Sequence, residues 1–284
     1  MLYIFLSTIA VLVLIFSSIT DIKKREVPDW ISYFFIISAV SLRLIYAIIS
    51  KNQMIFWYGI FGFGIAFLLG YLMYFTKQWG GGDAKLLMGL GAAFATFPEY
   101  GPFIFLLILI INILFFGAIY GMIYAAFLAV KNWKPFKKDF LEMAFSKKSR
   151  KMRIFYMVSS LFLLSLLLFV EIFIYRLFFV VFAFFLFIYP YFLIAVRSIE
   201  KTCMLKQVKP SKLTEGDWIA KDIFVKGKYV YGPSDLGITT KNIKYLIRNN
   251  IRNVVVKEGM PFVPPFLIGL LFTLIFGDIS YLLL

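Results

Sequence analysis

Long, nearly uninterrupted apolar stretches constrain the fold of this chain more than any other feature. They recur along the whole sequence and are separated by shorter polar segments. The chain is 62% hydrophobic and only 16% charged, whereas a soluble globular domain is about 45–50% apolar. A run of about 20 apolar residues can cross a bilayer as a helix. The sequence therefore predicts an all-α polytopic membrane protein with about eight transmembrane helices.

The predicted spans cover approximately residues 1–20, 31–50, 55–75, 84–97, 103–130, 154–170, 177–196 and 264–282. We interpret the first as a membrane helix and not as a cleaved signal peptide, because no positive segment precedes it. The fourth is short and rich in Gly and Ala, which is typical of a helix packed closely among others. Arg43, in the second span, is predicted to extend its charged end to the membrane surface.

The basic residues predict the topology. Most of the 30 Lys and Arg residues lie in one set of alternate loops, at residues 23–25, 77–85, 131–153 and 197–257. The positive-inside rule places these loops in the cytoplasm and both termini outside. The net charge of +15 is then explained by orientation and by attraction to anionic membrane lipids. We expect no nucleic-acid partner, since no recognition motif accompanies the charge.

We predict three parts: a transmembrane core at residues 1–196 that includes a basic cytoplasmic loop at 131–153, a cytoplasmic α+β module at 197–260, and a C-terminal transmembrane helix at 261–284. Within the module, alternating residues around Lys226 and Gly227 predict a hairpin. Thr239 or Thr240 is predicted to cap a helix that runs to about Asn250, and residues 254–256 are predicted to form a strand.

The missing residue types exclude several kinds of chemistry. The chain has no histidine and a single cysteine, Cys203. Ser-His-Asp triads, histidine zinc sites, intrachain disulfides and cysteine zinc clusters are therefore excluded. Catalysis would depend on carboxylates, lysine, tyrosine or a hydroxyl group. No metal site and no cofactor are predicted.

Asp21 and Asp83 are the candidate catalytic residues. Asp21 ends the first predicted span, and Asp83 opens the fourth after Gly80, Gly81 and Gly82. Both therefore lie at the same membrane depth, where one carboxylate could activate water while the other donates a proton. The simpler alternative is that Asp83 only caps its helix. We predict that the glycines form a joint that brings Asp83 to Asp21 when substrate docks.

Helix dipoles predict different roles for the two aspartates. A helix N-terminus favours an anion and a helix C-terminus disfavours one. Asp83 lies at the start of its helix and Asp21 at the end of its own. The prediction is therefore that Asp83 is the ionised base and Asp21 the protonated acid.

The stretch Gly80, Gly82, Asp83 and Lys85 resembles the second-aspartate motif of the GxGD membrane aspartyl proteases. Residues 20–30, which contain Asp21, resemble the first-aspartate segment of one branch of these enzymes, the prepilin peptidases. The Tyr-Asp pair of presenilins is absent there.

Residues 259–266 resemble the C-terminal region of archaeal members of this family, including preflagellin peptidases. Bacterial members often carry four cytoplasmic cysteines and also methylate the new N-terminus. With one cysteine here, that cluster is absent and methylation is not implied.

This resemblance implies an aspartic endopeptidase that cleaves the leader peptide of type IV pilin-like precursors, prepilin or preflagellin, at the cytoplasmic membrane face. The expected partners are precursors with basic leader peptides and membrane lipids. Glu26 and Asp29 are predicted to contact the leader, because they form an acidic cluster with the candidate dyad among positive loops. The position of Asp29 after Pro28 favours a helix cap over a catalyst, and the alternative for Glu26 is an ion pair with Lys23 or Arg25.

Two alternatives remain open from the sequence. In a Mg²⁺-dependent membrane phosphotransferase, Asp21, Asp29 and Asp83 would bind the metal and cytoplasmic lysines would hold phosphate. In a non-enzymatic membrane assembly subunit or transporter, buried acids would conduct ions and should lie near the middle of the membrane.

Overall fold

The computed structural model describes residues 1–225 and 227–278. The helices are α1 (Leu2–Lys24), α2 (Asp29–Ile49), α3 (Met54–Phe75), α4 (Gly81–Phe94), α5 (Ile104–Lys131), α6 (Trp133–Phe145), α7 (Lys147–Ser165), α8 (Phe173–Ile199), α9 (Thr240–Arg248) and α10 (Val263–Phe276). The strands are β1 (Leu205–Val208), β2 (Trp218–Ile219), β3 (Ile223–Val225), β4 (Lys228–Tyr231) and β5 (Val254–Lys257). The mostly helical membrane fold, with a small strand-containing region before the last helix, is confirmed.

Six helices in the described part of the chain are long and apolar enough to cross a membrane. They are α1, α2, α3, α5, α7 with the 3₁₀ turn after it, and α8 with the π turn after it. The other two predicted spans are α4 and α10, each with 14 helical residues. Such a helix rises about 21 Å, less than the ~30 Å hydrocarbon core. The end of the last predicted span, from residue 279 to residue 282, lies outside the described residues.

The segment predicted as a basic loop at 131–153 is helical. It contains α6 and the first turns of α7, which begins at Lys147. Ser146 caps α7, because its side chain accepts a hydrogen bond from the backbone N–H of Ser149. The sixth predicted span, at 154–170, is therefore the apolar part of a longer helix with a basic N-terminal end.

The chain forms two compact units. The first consists of Met1–Met122, Ser211–Asn250 and Gly259–Leu284, and the second of Ile123–Pro210 and Ile251–Glu258. The first unit therefore holds α1 to α4, the hairpin, α9 and α10, while the second holds α6 to α8, β1 and β5. The three-part division inferred from the sequence stays a prediction.

Helix α4 forms the centre of the first unit, and most of its residues are buried. Small residues allow it to contact α3 backbone to backbone. A Cβ atom on Gly62 would lie 2.3 Å from the carbonyl oxygen of Gly91, and one on Gly91 would lie 2.4 Å from the Cβ of Ala66. This close approach is the packing expected from a small-residue helix in a membrane.

Arg43 is completely buried, so the prediction that it extends to the membrane surface is wrong. Its side chain is 0% exposed, and its guanidinium donates hydrogen bonds to the carbonyl oxygens of Ile55 (3.0 Å) and Ala93 (2.9 Å) and to the hydroxyl of Thr96 (3.1 Å). Gly59 leaves room for it, since a Cβ there would lie 2.4 Å from Arg43 Cδ. Burial of Arg43 is compensated because its guanidinium supplies donors to carbonyl oxygens in the last turn of α4 and the first turn of α3.

In the second unit, α7 packs against α8, and the Ser160 hydroxyl donates to the carbonyl oxygen of Ala183 at 2.8 Å. Asp139 of α6 is buried and forms an ion pair with Lys201. Strand β1 pairs antiparallel with β5, with Leu205 opposite Lys257.

The predicted elements of the module are confirmed in the described residues. Strands β3 and β4 form an antiparallel hairpin, and Gly227 in its turn has φ +78°; Lys226 lies outside the described residues. Thr239 caps α9, because its hydroxyl accepts a hydrogen bond from the N–H of Asn242. Strand β5 covers the predicted strand at 254–256, whereas β1 was not predicted.

Candidate active site

Asp21 lies in the last turn of α1 and is 6% exposed. Its Oδ2 accepts a hydrogen bond from the backbone N–H of Val263 at 3.0 Å. Val263 is the first residue of α10, and the next two residues are Pro264 and Pro265. Because proline has no N–H, Val263 supplies the only backbone donor among the first three residues of this helix. Asp21 therefore accepts the one backbone donor of these three residues, and the N–H of Phe262, just before α10, also acts on its carboxyl group.

Asp83 is the third residue of α4. Gly80 precedes the helix in an extended conformation, and its backbone N–H donates to Asp83 Oδ2 at 3.0 Å. Asp83 therefore reaches back over the first turn of its own helix, as the side chain at this position does in a capping box. The helix-cap interpretation of Asp83 holds. It does not compete with a catalytic role, because the cap uses only Oδ2 of the carboxylate.

The three glycines before Asp83 have different surroundings. Gly81 and Gly82 belong to the first turn of α4, and none of the three has a positive φ. A Cβ on Gly82 would lie 2.8 Å from the Cβ of Val27, whereas one on Gly81 would be 3.8 Å from its nearest neighbour, Tyr74. Gly82 is thus required for the close approach of α4 to the segment after α1. The proposed joint stays a prediction.

The structure brings Asp21 and Asp83 together. Their carboxyl groups lie close enough for the charge on one to act on the other, and α1 contacts both α4 and α10. Arg25, just after α1, is also close enough for its charge to act on Asp21. Two neighbouring carboxyl groups in a mostly buried site can share a proton, and this allows one to act as a base and the other as an acid.

Both aspartates lie at a helix N-terminus. The dipole prediction considered only the helix that contains each residue, and so it placed Asp21 at an unfavourable C-terminus. The structure adds the N-terminus of α10, whose Val263 N–H stabilises negative charge on Asp21. Helix dipoles therefore do not distinguish the two carboxyl groups, and the assignment of base and acid stays a prediction.

Asp29 and Lys85 form an ion pair that connects α2 to α4. Lys85 Nζ lies 2.6 Å from Asp29 Oδ1 and 5.2 Å from the centre of the Tyr33 ring. Asp29 is 64% exposed at its side chain. Glu26 is exposed in the turn between α1 and α2 and forms no ion pair within the described residues. Of the two predicted leader contacts, Asp29 is already paired with a lysine, whereas Glu26 has no ion-pair partner within the described residues.

Sequence reasoning missed Trp79, which positions the start of α10. Trp79 is buried, and its ring centroid lies 5.6 Å from that of Phe262 and 5.3 Å from that of Phe266. Gly117 of α5 admits the same Phe262 ring, since a Cβ there would lie 2.6 Å from its Cζ. The family resemblance at residues 259–266 was the only signal for this region, and nothing in the sequence connected it with Asp21.

The described residues do not assemble the donor set of the phosphotransferase alternative. Within them there is no group of three or more His, Cys, Asp or Glu residues placed to hold a metal ion. Asp29 pairs with Lys85 and does not join Asp21 and Asp83. The two aspartates lie at helix ends, and the transporter alternative, which needs acids near mid-membrane, stays open.

Residues 8–126 match the model of the type IV leader peptidase family. Over these residues, which are less than half of the chain, the chain is similar to the type IV leader peptidase family. The match includes both aspartates, the three glycines and α2 to α4, and so the resemblance drawn from the motifs is confirmed. The match ends within α5, and α10, which donates to Asp21, lies beyond it.

Three curated proteins are similar to this chain, and all three are named preflagellin peptidase. The protein of Methanococcus maripaludis (strain C6) is 40% identical over 84 residues, which are 30% of this chain and 36% of that protein. That of Methanocaldococcus jannaschii is 31% identical over 154 residues, 48% of this chain and 64% of that protein. The protein of Methanococcus voltae is 38% identical over 94 residues, which are 32% of this chain and 40% of that protein. The matched region thus spans 36% to 64% of the length of these relatives.

Proposed function

We propose that this chain is a membrane aspartic endopeptidase that removes the leader peptide of type IV pilin-like precursors, prepilin or preflagellin. The observation that carries this proposal is the interaction of the Asp21 and Asp83 carboxyl groups within the region that matches the family. The names of the three relatives support preflagellin-like substrates. No metal or other cofactor takes part in the proposed reaction.

In the proposed reaction, one carboxylate removes a proton from a water molecule, which attacks the carbonyl carbon of the scissile peptide bond. The other carboxyl group, protonated at the start, donates its proton as the leaving amine departs. The backbone N–H groups of Val263 and Gly80 each hold one carboxylate oxygen. They orient the two groups toward water and substrate.

The leader peptide is proposed to bind through its basic residues on the cytoplasmic side, while the hydrophobic segment that follows stays in the lipid. Glu26 is exposed and has no cation of its own within the described residues, so it is the first candidate contact. Asp29 can accept a leader cation only by releasing Lys85. We therefore expect Glu26 to govern the preference for basic leaders and Asp29 to contribute less.

The active site is proposed to face the cytoplasm, with both termini outside. This orientation places the basic helix α6 and the basic end of α7 on the cytoplasmic side, beside anionic headgroups. Membrane lipids and pilin-like precursors are therefore the proposed partners, and nucleic acid is not.

Co-expression with a tagged prepilin or preflagellin tests the proposal. We expect Asp21→Asn and Asp83→Asn each to leave the precursor unprocessed on an immunoblot. Glu171→Gln is the matched control, because it neutralises an exposed acid outside the site and should process normally. Normal processing by both aspartate variants, at expression equal to the wild type, would refute the peptidase.

A further inference from the structure

A groove between α7 and α8 has the features of a second binding site, far in sequence from the two aspartates. Its volume is about 170 Å³. All of its lining belongs to the second compact unit: Arg150, Arg153, Ile154, Met157, Phe187 and Tyr191. One end is therefore doubly cationic, and the other is apolar and aromatic.

Arg153 carries a donor that the described protein does not use. Its Nε is buried without a hydrogen-bond partner, although a buried donor left unpaired is costly. Its guanidinium lies 5.8 Å from the centre of the Tyr191 ring, a distance at which the ring face attracts the cation and limits its motion. Arg150 lies in the same groove, and no carboxylate in the described residues forms an ion pair with either arginine.

The charge around the groove favours an anion. Lys147, Lys148 and Lys151 share the first turns of α7 with the two arginines. The nearby α6 contributes two acids, of which Asp139 is already paired with Lys201 and Glu142 is exposed. A phosphate group matches two guanidinium groups well, because their paired N–H donors bind its oxygens at fixed geometry.

The apolar half of the groove identifies the kind of anion. Ile154, Met157 and Phe187 are 46%, 43% and 47% exposed, and they lie on helices long and apolar enough to span the membrane. These side chains offer an acyl chain a surface that continues from the cationic end. A soluble phosphate compound would leave this surface uncovered.

We propose that this groove binds one anionic phospholipid, with its phosphate between Arg150 and Arg153 and an acyl chain along Ile154, Met157 and Phe187. The Arg153 Nε is the donor that the phosphate satisfies, and Tyr191 holds that guanidinium in position. The site is independent of the proposed peptidase activity, since none of its residues belongs to the region that matches the family.

Native mass spectrometry of the full-length protein in detergent tests this site, with dioleoylphosphatidylglycerol as the probe and dioleoylphosphatidylcholine for comparison. We expect the double variant Arg150→Gln/Arg153→Gln to lower phosphatidylglycerol affinity about tenfold. The control Lys147→Gln/Lys148→Gln removes the same charge from the same helix end but lies outside the groove, and should change it less than about twofold. Equal losses in both variants, or equal retention of phosphatidylcholine by the wild type, would overturn the proposal.

Two further measurements complete the test. The first distinguishes a lipid phosphate from free phosphate, and the second keeps the test valid if the double variant misfolds. Inorganic phosphate at millimolar concentration should not displace the lipid; complete displacement would show that the groove binds free phosphate. Arg153→Lys keeps the charge but loses the paired donors, so it should retain an intermediate amount of phosphatidylglycerol even if the double variant fails to fold. Retention equal to that of the wild type would refute the role given to the Arg153 guanidinium.

Discussion

At the scale of single residues, the two candidate aspartates are held in different ways. Asp83 accepts the N–H of Gly80, three positions earlier in the chain, so its contact is local and follows from its place at a helix start. Asp21 accepts the N–H of Val263, on the last helix. The environment of Asp83 was therefore accessible to sequence reasoning, whereas that of Asp21 depends on how distant helices pack.

Gly82 gives the first prediction. Gly82→Ala should destabilise the protein by about 1–3 kcal/mol and lower precursor cleavage, because the new methyl group meets Val27 and displaces the helix start that carries Asp83. Thermal unfolding in detergent and the cleavage rate measure the two effects. Wild-type values for both would show that α4 does not need the close contact.

The control for this prediction is Gly81→Ala, where the added Cβ has ordinary spacing. It should fold at least as stably as the wild type, since alanine in a helix is favoured over glycine by about 0.5–1 kcal/mol. This variant also tests the predicted joint. Slower cleavage at unchanged or raised stability would support a need for glycine flexibility, and unchanged cleavage would argue against it.

At the scale of elements, α10 is the helix that completes the site. Its start is held by Trp79 through Phe262 and Phe266, and its two prolines leave Val263 as the donor to Asp21. Trp79, the residue just before the three glycines, therefore packs against the start of the last helix. Periodicity predicts that α10 is apolar, but it does not predict which residue its first N–H contacts.

Val263→Pro gives the second prediction, because it removes this N–H. Loss of a hydrogen bond to a charged group, about 1.5–3 kcal/mol, should lower the cleavage rate about 10–100-fold. Val263→Ala keeps the N–H and should retain most of the activity. A proline here also disfavours the helical backbone of Phe262, so thermal unfolding is measured for both variants. Wild-type cleavage by a stable Val263→Pro protein would contradict the positioning role of α10.

At the scale of the whole molecule, the distribution of charge decides the expected orientation. The basic residues on α6, on the start of α7 and in the region before α10 all fall on one side of the predicted topology. These groups are costly to move across a bilayer, and this is the physical basis for placing them in the cytoplasm.

Cysteine labelling of intact cells tests this orientation as the third prediction. In a Cys203→Ser background, a membrane-impermeant maleimide should label Gln53→Cys, in the exposed turn before α3, from outside. Lys148→Cys, exposed near the start of α7, should react only after permeabilisation. The reverse pattern would place the candidate active site on the outer side.

The sequence by itself determined the apolar helices, the hairpin, the cap of α9 and the place of both aspartates at helix ends, because these features depend on neighbouring residues. It did not predict α6 or the basic start of α7, which were expected to form a loop. Only the tertiary structure decided that Arg43 is buried, that Gly82 contacts Val27, and that α10 adds a second helix N-terminus beside Asp21. Each of these depends on groups brought together by packing. A buried donor or acceptor must find a partner wherever the fold supplies one, and the sequence does not display where that partner lies.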